Sequence, residues 1–233
     1  MAKANGLPGL YIVLDGIVGT GKSEQGRQLK SHLSLDFPQG DFLFTYEPGG
    51  NPEADLLRQK VKFEKMSPVE EMRIFAKSRS ITIPKVVIPA LSEGQIVISD
   101  RSVTTSLAYQ AFGRELGIHR VWEENKKAIC GVLPDVVVWM NVGLEACLKR
   151  SAGQNPDKFD AEDRIFWTRT INGYSQMLHF LKSINSDIKT IQIDDLNGSM
   201  NIEQMRLAIK ERLYPYIEYN LGPEGRIVRD RQV

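Results

Sequence analysis

The sequence is poor in cysteine, in net charge and in long apolar runs. Cys130 and Cys147 are its only 2 cysteines, too few for a disulfide framework. Both fall in helix-like segments and read as buried thiols in a reducing, cytoplasmic setting. With 30 Lys+Arg against 29 Asp+Glu, the net charge is +1. That removes any bulk electrostatic case for binding nucleic acid or a membrane surface. No apolar run approaches the ~20 residues that span a bilayer. The opening MAKANGLPGLYIVLDG lacks the basic, apolar and small-residue sections of a signal peptide. No internal repeat or low-complexity tract is visible. What is left is ordinary: 233 residues, 42% hydrophobic and 25% charged, suited to one large domain over 1–233.

Short apolar, largely β-branched runs alternate with longer helix-like segments. The strand candidates are Leu10–Leu14, Phe42–Tyr46, Ile96–Ser99, Val136–Met140 and Thr190–Ile193. Such runs suit strands buried on both faces of a parallel sheet. Helices are expected over Lys22–Leu35, Glu53–Lys62, Pro68–Glu93, Val103–Phe112, His119–Val132, Leu144–Arg150, Glu162–Asn185 and Ile202–Leu213. This alternation predicts a three-layer α/β fold with ligands at the carboxyl ends of the strands. The last stretch, 214–233, shows no clear period and reads as a mobile or docking tail.

After the first strand comes Gly16-Ile17-Val18-Gly19-Thr20-Gly21-Lys22-Ser23, which fits G-x-x-x-x-G-K-[ST]. Glycines let the backbone curl and aim several N–H groups at one anion, and the following helix adds its positive end. Gly16, Gly19, Thr20 and Gly21 therefore form a candidate triphosphate cradle. Lys22 would reach the terminal phosphates and Ser23 would help hold Mg²⁺. The motif alone does not separate a kinase from a GTPase, a motor or a switch. No NKxD-like guanine motif follows, and Val136–Met140 leads into Asn141 rather than the acid of an ordinary Walker B motif.

Three further polar motifs follow predicted strands or lie close to them. In TYEPGGNP, Glu47 leaves a strand end, where a carboxylate can coordinate Mg²⁺ through water, orient an acceptor or act as base. In MRIFAKSRS, Phe75 and Arg79 share a helical face, pairing a ring that can stack on a base with a guanidinium that can bond its edge or a phosphate. In SDRSVTTSLAYQ, Arg101 suits an acceptor phosphate and Asp100 suits Mg²⁺-bound water. Thr105, Ser106, Tyr109 and Gln110 add mixed donors and acceptors able to read a base edge.

Taken in order, DGIVGTGKS, YEPGG, FAKSR, DRSVTTSLAYQ, LPDVVVWMNV and CLKR make the chain resemble bacterial-type thymidylate kinase, a P-loop nucleoside-monophosphate kinase. The resemblance runs from about Leu10 to Tyr174. It implies a P-loop kinase fold with a five-stranded parallel sheet, helices on both faces and a short lid at about 150–163. The implied reaction is ATP + dTMP to ADP + dTDP, with Mg²⁺, in a homodimer. Phe75 would stack on thymine, Arg79 would contact the base, and Arg101 would hold the monophosphate. Ser106 and Gln110 would line the base pocket, with Tyr109 packed against the sugar. Asp15, Lys22, Ser23, Glu47, Asp100 and Arg101 would form the reaction centre.

Three positions depart from the family pattern. The loop carries Ile17-Val18 where an acid or arginine is usual, Tyr46 precedes EPGG in place of arginine, and Asn141 stands where aspartate is common. Within the lid, Gly153, Asn155 and Pro156 suit a flexible stretch. The cations near it are Lys149, Arg150, Lys158, Arg164 and Arg169. Arg150 and Lys158 are the expected charge stabilisers. Two other readings share the phosphate loop: a deoxyribonucleoside kinase using Glu47 as base, and a nucleotide-binding protein without turnover.

Overall fold

The computed structural model describes residues 3–152 and 158–222. Its centre is a sheet of 5 strands in the order β2-β3-β1-β4-β5, parallel throughout. The strands are β1 (Leu10–Asp15), β2 (Phe42–Tyr46), β3 (Ile96–Asp100), β4 (Val136–Val142) and β5 (Lys189–Asp195). β1 and β3 are buried along their whole length, as a continuous apolar run requires when helices cover both faces. β5 is an edge strand with alternating exposure, so it departs from the expected double burial. Parallel pairing forces long crossovers, and α1 (Lys22–Asp36), α2 (Pro52–Phe63) and α3 (Pro68–Thr82) make the first two of them.

The helix expected over Pro68–Glu93 is interrupted. A π-helical turn, Ile83–Val87, joins α3 to α4 (Ile88–Ser92). Pro84 and Pro89 lack the N–H that an unbroken α-helix would use there. Likewise α5 (Val103–Ala108) passes into a π-helical turn over Tyr109–Gly113. Next come α6 (Ile118–Lys126), α7 (Leu144–Ser151), α8 (Arg164–Ile184) and α9 (Ile202–Leu221). α9 corrects the reading of 214–233 as a tail from its first residue: the helix runs through Pro215 to Leu221. Residues 223–233, the remainder of that stretch, lie outside the described residues. Cys130 is a second correction, being exposed in a turn with φ 51° rather than buried in a helix. Cys147 is buried in α7 as expected.

β1, β3 and β4 end side by side, so the segments leaving them converge on one side of the sheet. The order reverses at β1, whose neighbours are β3 and β4. That reversal opens a crevice at the carboxyl end of the sheet.

Candidate active site

The crevice is one cavity of about 1450 Å³. Its wall includes Gly19–Ser23 of the loop after β1, and also Phe75, Asp100, Arg101, Thr105 and Tyr109. The phosphate-loop residues and the expected acceptor residues thus border one space. Arg150 also reaches the wall. Behind it, buried, are Asp15, Glu47, Arg79, Ser106 and Gln110.

The phosphate loop has the shape of an anion cradle. Gly19 and Gly21 have φ of 74° and 87°, in the region where a side chain is costly. A Cβ on Gly19 would stand 2.1 Å from the carbonyl oxygen of Cys147, so only glycine lets the loop rest on α7. α1 starts with no side-chain cap on its first N–H groups, which leaves those donors and the helix dipole for an anion. Lys22 is buried and folded back on the loop. Its Nζ donates to the Ile17 carbonyl at 2.6 Å and to Thr20 Oγ1 at 2.9 Å. Burial, reinforced by the nearby Arg101 charge, pushes its pKa down to about 7.

Asp15 is fully buried and heavily engaged. It accepts from Gly16 N at 2.8 Å, Thr105 Oγ1 at 2.8 Å and Tyr174 Oη at 2.7 Å, and also from Thr104 Oγ1. Tyr174 stacks on Trp139 of β4 at 5.4 Å, so α8 and the sheet together fix this carboxylate. Sequence reading placed Asp15 at the centre but missed Thr104 and Tyr174, because nothing in local spacing links residue 174 to residue 15.

Ser23 Oγ bonds Asp100 Oδ2 across 77 positions of sequence, while Asp100 Oδ1 is buried without a partner. A hydroxyl, a carboxylate and an orphaned oxygen suit Mg²⁺, which takes one or two protein oxygens and completes its shell with phosphates and water. Among the described residues no cluster of three or more His, Cys, Asp or Glu could hold a metal by itself.

Arg101 leaves β3 with φ 75°. Its guanidinium donates to the Gly16 carbonyl and to Tyr109 Oη, both at 3.1 Å. It also lies 5.0 Å from the Tyr109 ring centre. Burial pushes the Tyr109 phenol up to about 12, so it stays neutral beside that cation. The EPGG loop, with its cis Glu47–Pro48 bond, is fastened to α3. Gly49 N donates to Ser78 Oγ at 3.0 Å and Thr82 Oγ1 to the Gly49 carbonyl at 2.6 Å. Arg79 Nε meets Glu47 Oε2 at 2.6 Å, and the same guanidinium bonds Ser106 Oγ and Asn125 Oδ1. Burial raises the Glu47 carboxyl, and the Arg79 charge counters it. In this structure Arg79 therefore ties α3 to the loop, to α5 and to α6 from behind the cavity wall.

The position of Tyr46 finds its answer in α2. Arg58 lies with its guanidinium carbon 5.0 Å from the Tyr46 ring centre, donates to the Pro48 carbonyl at 2.8 Å, and lines the cavity. Tyr46 Oη donates to Asp55 at 3.0 Å. A cation thus stands over the ring where the sequence lacks one. No motif marks Arg58, and only the turn of α2 brings it back to the loop.

The cations of the expected lid region separate. Arg150 NH2 donates to the Gly198 and Met200 carbonyls at 3.0 and 3.3 Å, tying α7 to the loop after β5. Lys158 Nζ pairs with Glu71 at 2.9 Å, so here it faces the α3 carboxylate and not the phosphate loop. Arg164 pairs with exposed Glu145, and Arg169 donates to the Gly113 carbonyl at 2.9 and 3.2 Å. Gly153, Asn155 and Pro156 lie outside the described residues.

The thymidylate kinase family model matches residues 14–194. A thymidylate kinase of Dehalococcoides mccartyi is 38% identical over 212 residues, covering 88% of this chain and 95% of the relative. One of Mycoplasmopsis pulmonis is 32% identical, covering 92% of each. The chain belongs to the thymidylate kinase family. The fold agrees: the crystal structure of thymidylate kinase from Ehrlichia chaffeensis superposes with a TM-score of 0.68 at 23% identity, covering 88% of this chain and 98% of that one.

Proposed function

We infer that this family member is a working thymidylate kinase, transferring the terminal phosphoryl group of ATP to dTMP. One observation carries the reading: Lys22 of the phosphate loop and the set Phe75, Arg101 and Tyr109 border the same cavity. Phosphoryl transfer needs positioning and charge neutralisation more than covalent chemistry, and a monophosphate is already largely ionised near neutral pH. The uncapped start of α1 and Lys22 hold the donor phosphates. Arg101 and Arg58 take the acceptor phosphate, with Arg58 supplying the charge that Tyr46 cannot. Mg²⁺, held by Ser23 and by Asp100 directly or through water, would neutralise charge on the donor phosphates. Phe75 and Tyr109 give the base and sugar flat, apolar contact, and Arg150 or Lys158 neutralises the lid side.

A phosphate-bearing acceptor fits two arginines on the wall better than an uncharged nucleoside does. A coupled assay for ADP release tests this: turnover with dTMP and none with thymidine is expected. Turnover with thymidine alone, or ATP binding without turnover on either acceptor, overturns the reading. Arg58→Ala is expected to raise KM for dTMP about tenfold, the cost of one charge-assisted contact, with KM for ATP little changed. An equal rise in both would remove Arg58 from the acceptor side.

The same reading carries a cytoplasmic homodimer. Leu56 and Phe63, exposed on one face of α2, supply an apolar strip that a second copy would cover. No helix among the described residues is long and apolar enough to cross a membrane. Sedimentation of the purified chain tests the dimer.

A further inference from the structure

Tyr46 ends β2 and is not among the residues that line the cavity, yet its surroundings are closely built. Its hydroxyl donates to Asp55 Oδ1 at 3.0 Å, and the same oxygen accepts from Gly50 N at 3.1 Å. A Cβ on Gly49 would stand 2.4 Å from Asp55 Oδ1 and 2.5 Å from the Tyr46 ring. Gly49 also has φ 115°. Only glycine there lets the carboxylate and the ring close on the loop. Burial, followed by the bond and charge of Asp55, raises the phenol, so it remains a neutral donor.

Arg58 follows Asp55 by three positions on α2, and the two share a helix face. Its guanidinium carbon lies 5.0 Å from the Tyr46 ring centre, one N–H goes to the Pro48 carbonyl at 2.8 Å, and the side chain lines the cavity. One turn of α2 thus grips the ring twice, with Asp55 at the hydroxyl and Arg58 on the face. A cation is drawn to the negative face of an aromatic ring. A phenol that donates to a carboxylate is polarised, and its ring face becomes more negative. An unrestrained arginine must lose many rotamers before it can serve a ligand. Here the ring sets the plane of the fork and the Pro48 carbonyl sets one of its edges.

We propose that Tyr46 is a positioning residue for the acceptor phosphate: its ring, held by Asp55, is the platform that aims the Arg58 guanidinium into the cavity. This rests on the reading of the cavity as a dTMP site in which Arg58 meets the phosphate. The departure from the family pattern at Tyr46 then divides one task between two elements. The strand end supplies the platform and the neighbouring helix supplies the charge.

A double-mutant cycle on Tyr46 and Arg58, read as KM for dTMP, tests this. Tyr46→Leu removes the ring and is expected to raise KM for dTMP about fivefold, the worth of a cation–ring contact, with KM for ATP little changed. Made in Arg58→Ala, the same change should add less than twofold, because no guanidinium is left to position. Tyr46→Phe keeps the ring face and should stay within twofold of wild type. Tyr46→Met takes the place of the leucine variant if that one does not fold. An unchanged KM on loss of the ring overturns the proposal. So does a further fivefold rise in the Arg58→Ala background, since a merely structural role adds to the loss of the arginine. A phenylalanine variant as impaired as the leucine one overturns it too, by making the hydroxyl the working group. Wild-type KM in Arg58→Ala would leave the ring nothing to aim and would remove the acceptor role of Arg58 with it. Absence of dTMP turnover in the unaltered enzyme would instead sink the functional reading.

Discussion

Replacing Arg101 by alanine will lower kcat/KM for dTMP by about 10²- to 10³-fold, equivalent to ~3–4 kcal/mol of transition-state stabilisation. Arg101 is the cation that leaves β3 at the cavity wall, and it is already oriented. The Gly16 carbonyl and Tyr109 Oη each receive one of its N–H groups at 3.1 Å, and the Tyr109 ring lies against its face. A lysine there should recover less than a tenth of the lost activity, because a point charge cannot occupy the planar fork. The backbone separates function from folding. With φ 75°, residue 101 sits where any side chain costs ~1 kcal/mol. Arg101→Gly should therefore be as inactive as the alanine variant yet melt at a higher temperature. Steady-state kinetics with a thermal melt of each variant checks the pair of outcomes. A glycine variant that keeps wild-type kinetics would remove Arg101 from the acceptor site.

Lys22→Met will abolish measurable turnover, a loss of at least ~10³-fold, and will raise the melting temperature. The two effects share a cause. Lys22 is 5% exposed, and the hydrogen bonds of its ammonium go to a carbonyl and a hydroxyl, neither of which carries a charge. Arg101 disfavours it further, and the Asp100 and Asp15 charges offset that only in part. A methionine of similar length fills the volume with no charge to desolvate. Removing the burden of such a group is worth ~1–2 kcal/mol, or about 3–6 °C in a chain of this size. Adding ATP should stabilise the wild type and leave the variant unmoved, because the proposed reading gives the lysine the donor phosphates as its partner. Calorimetry with and without nucleotide reads both halves, and a variant that melts lower than wild type contradicts the account of a strained, waiting cation.

What the sequence disclosed and what it hid divide along physical lines. β1, β3 and the start of β4 were legible because central strands have no solvent face and so contain few polar interruptions. The ends of β5 were missed because Lys189, Asp194 and Asp195 belong to an edge strand that alternates. The last turns of α9 were hidden by Pro215. That proline is tolerated because it is exposed, and the carbonyl it leaves without a partner belongs to Glu211, also exposed, where water can serve it. The phosphate loop was readable because its chemistry is local in sequence. The support for Asp15 from Thr104 and Tyr174, the bridge from Arg79 to Asn125, the placement of Arg58 and the bonds of Glu71 were not. Each joins residues from separate elements, and no periodicity records which distant side chain an element will meet. Two of the expected site residues, Arg79 and Gln110, bond Glu47 and Glu71 in this structure, carboxylates whose pairing with them only the fold identifies.

Gly19 rests on the Cys147 carbonyl with no room for a methyl group, and α7, which supplies that carbonyl, ends beside Arg150. The helix under the phosphate loop and the arginine that grips the Gly198 and Met200 carbonyls are thus parts of one short rod. A nucleotide that lifts the loop by a fraction of an ångström must tilt that rod or lose the contact. Any tilt pulls Arg150 against the Gly198 and Met200 carbonyls it grips. Occupancy of the phosphate loop is thus expected to be felt through α7 at the Gly198 and Met200 carbonyls.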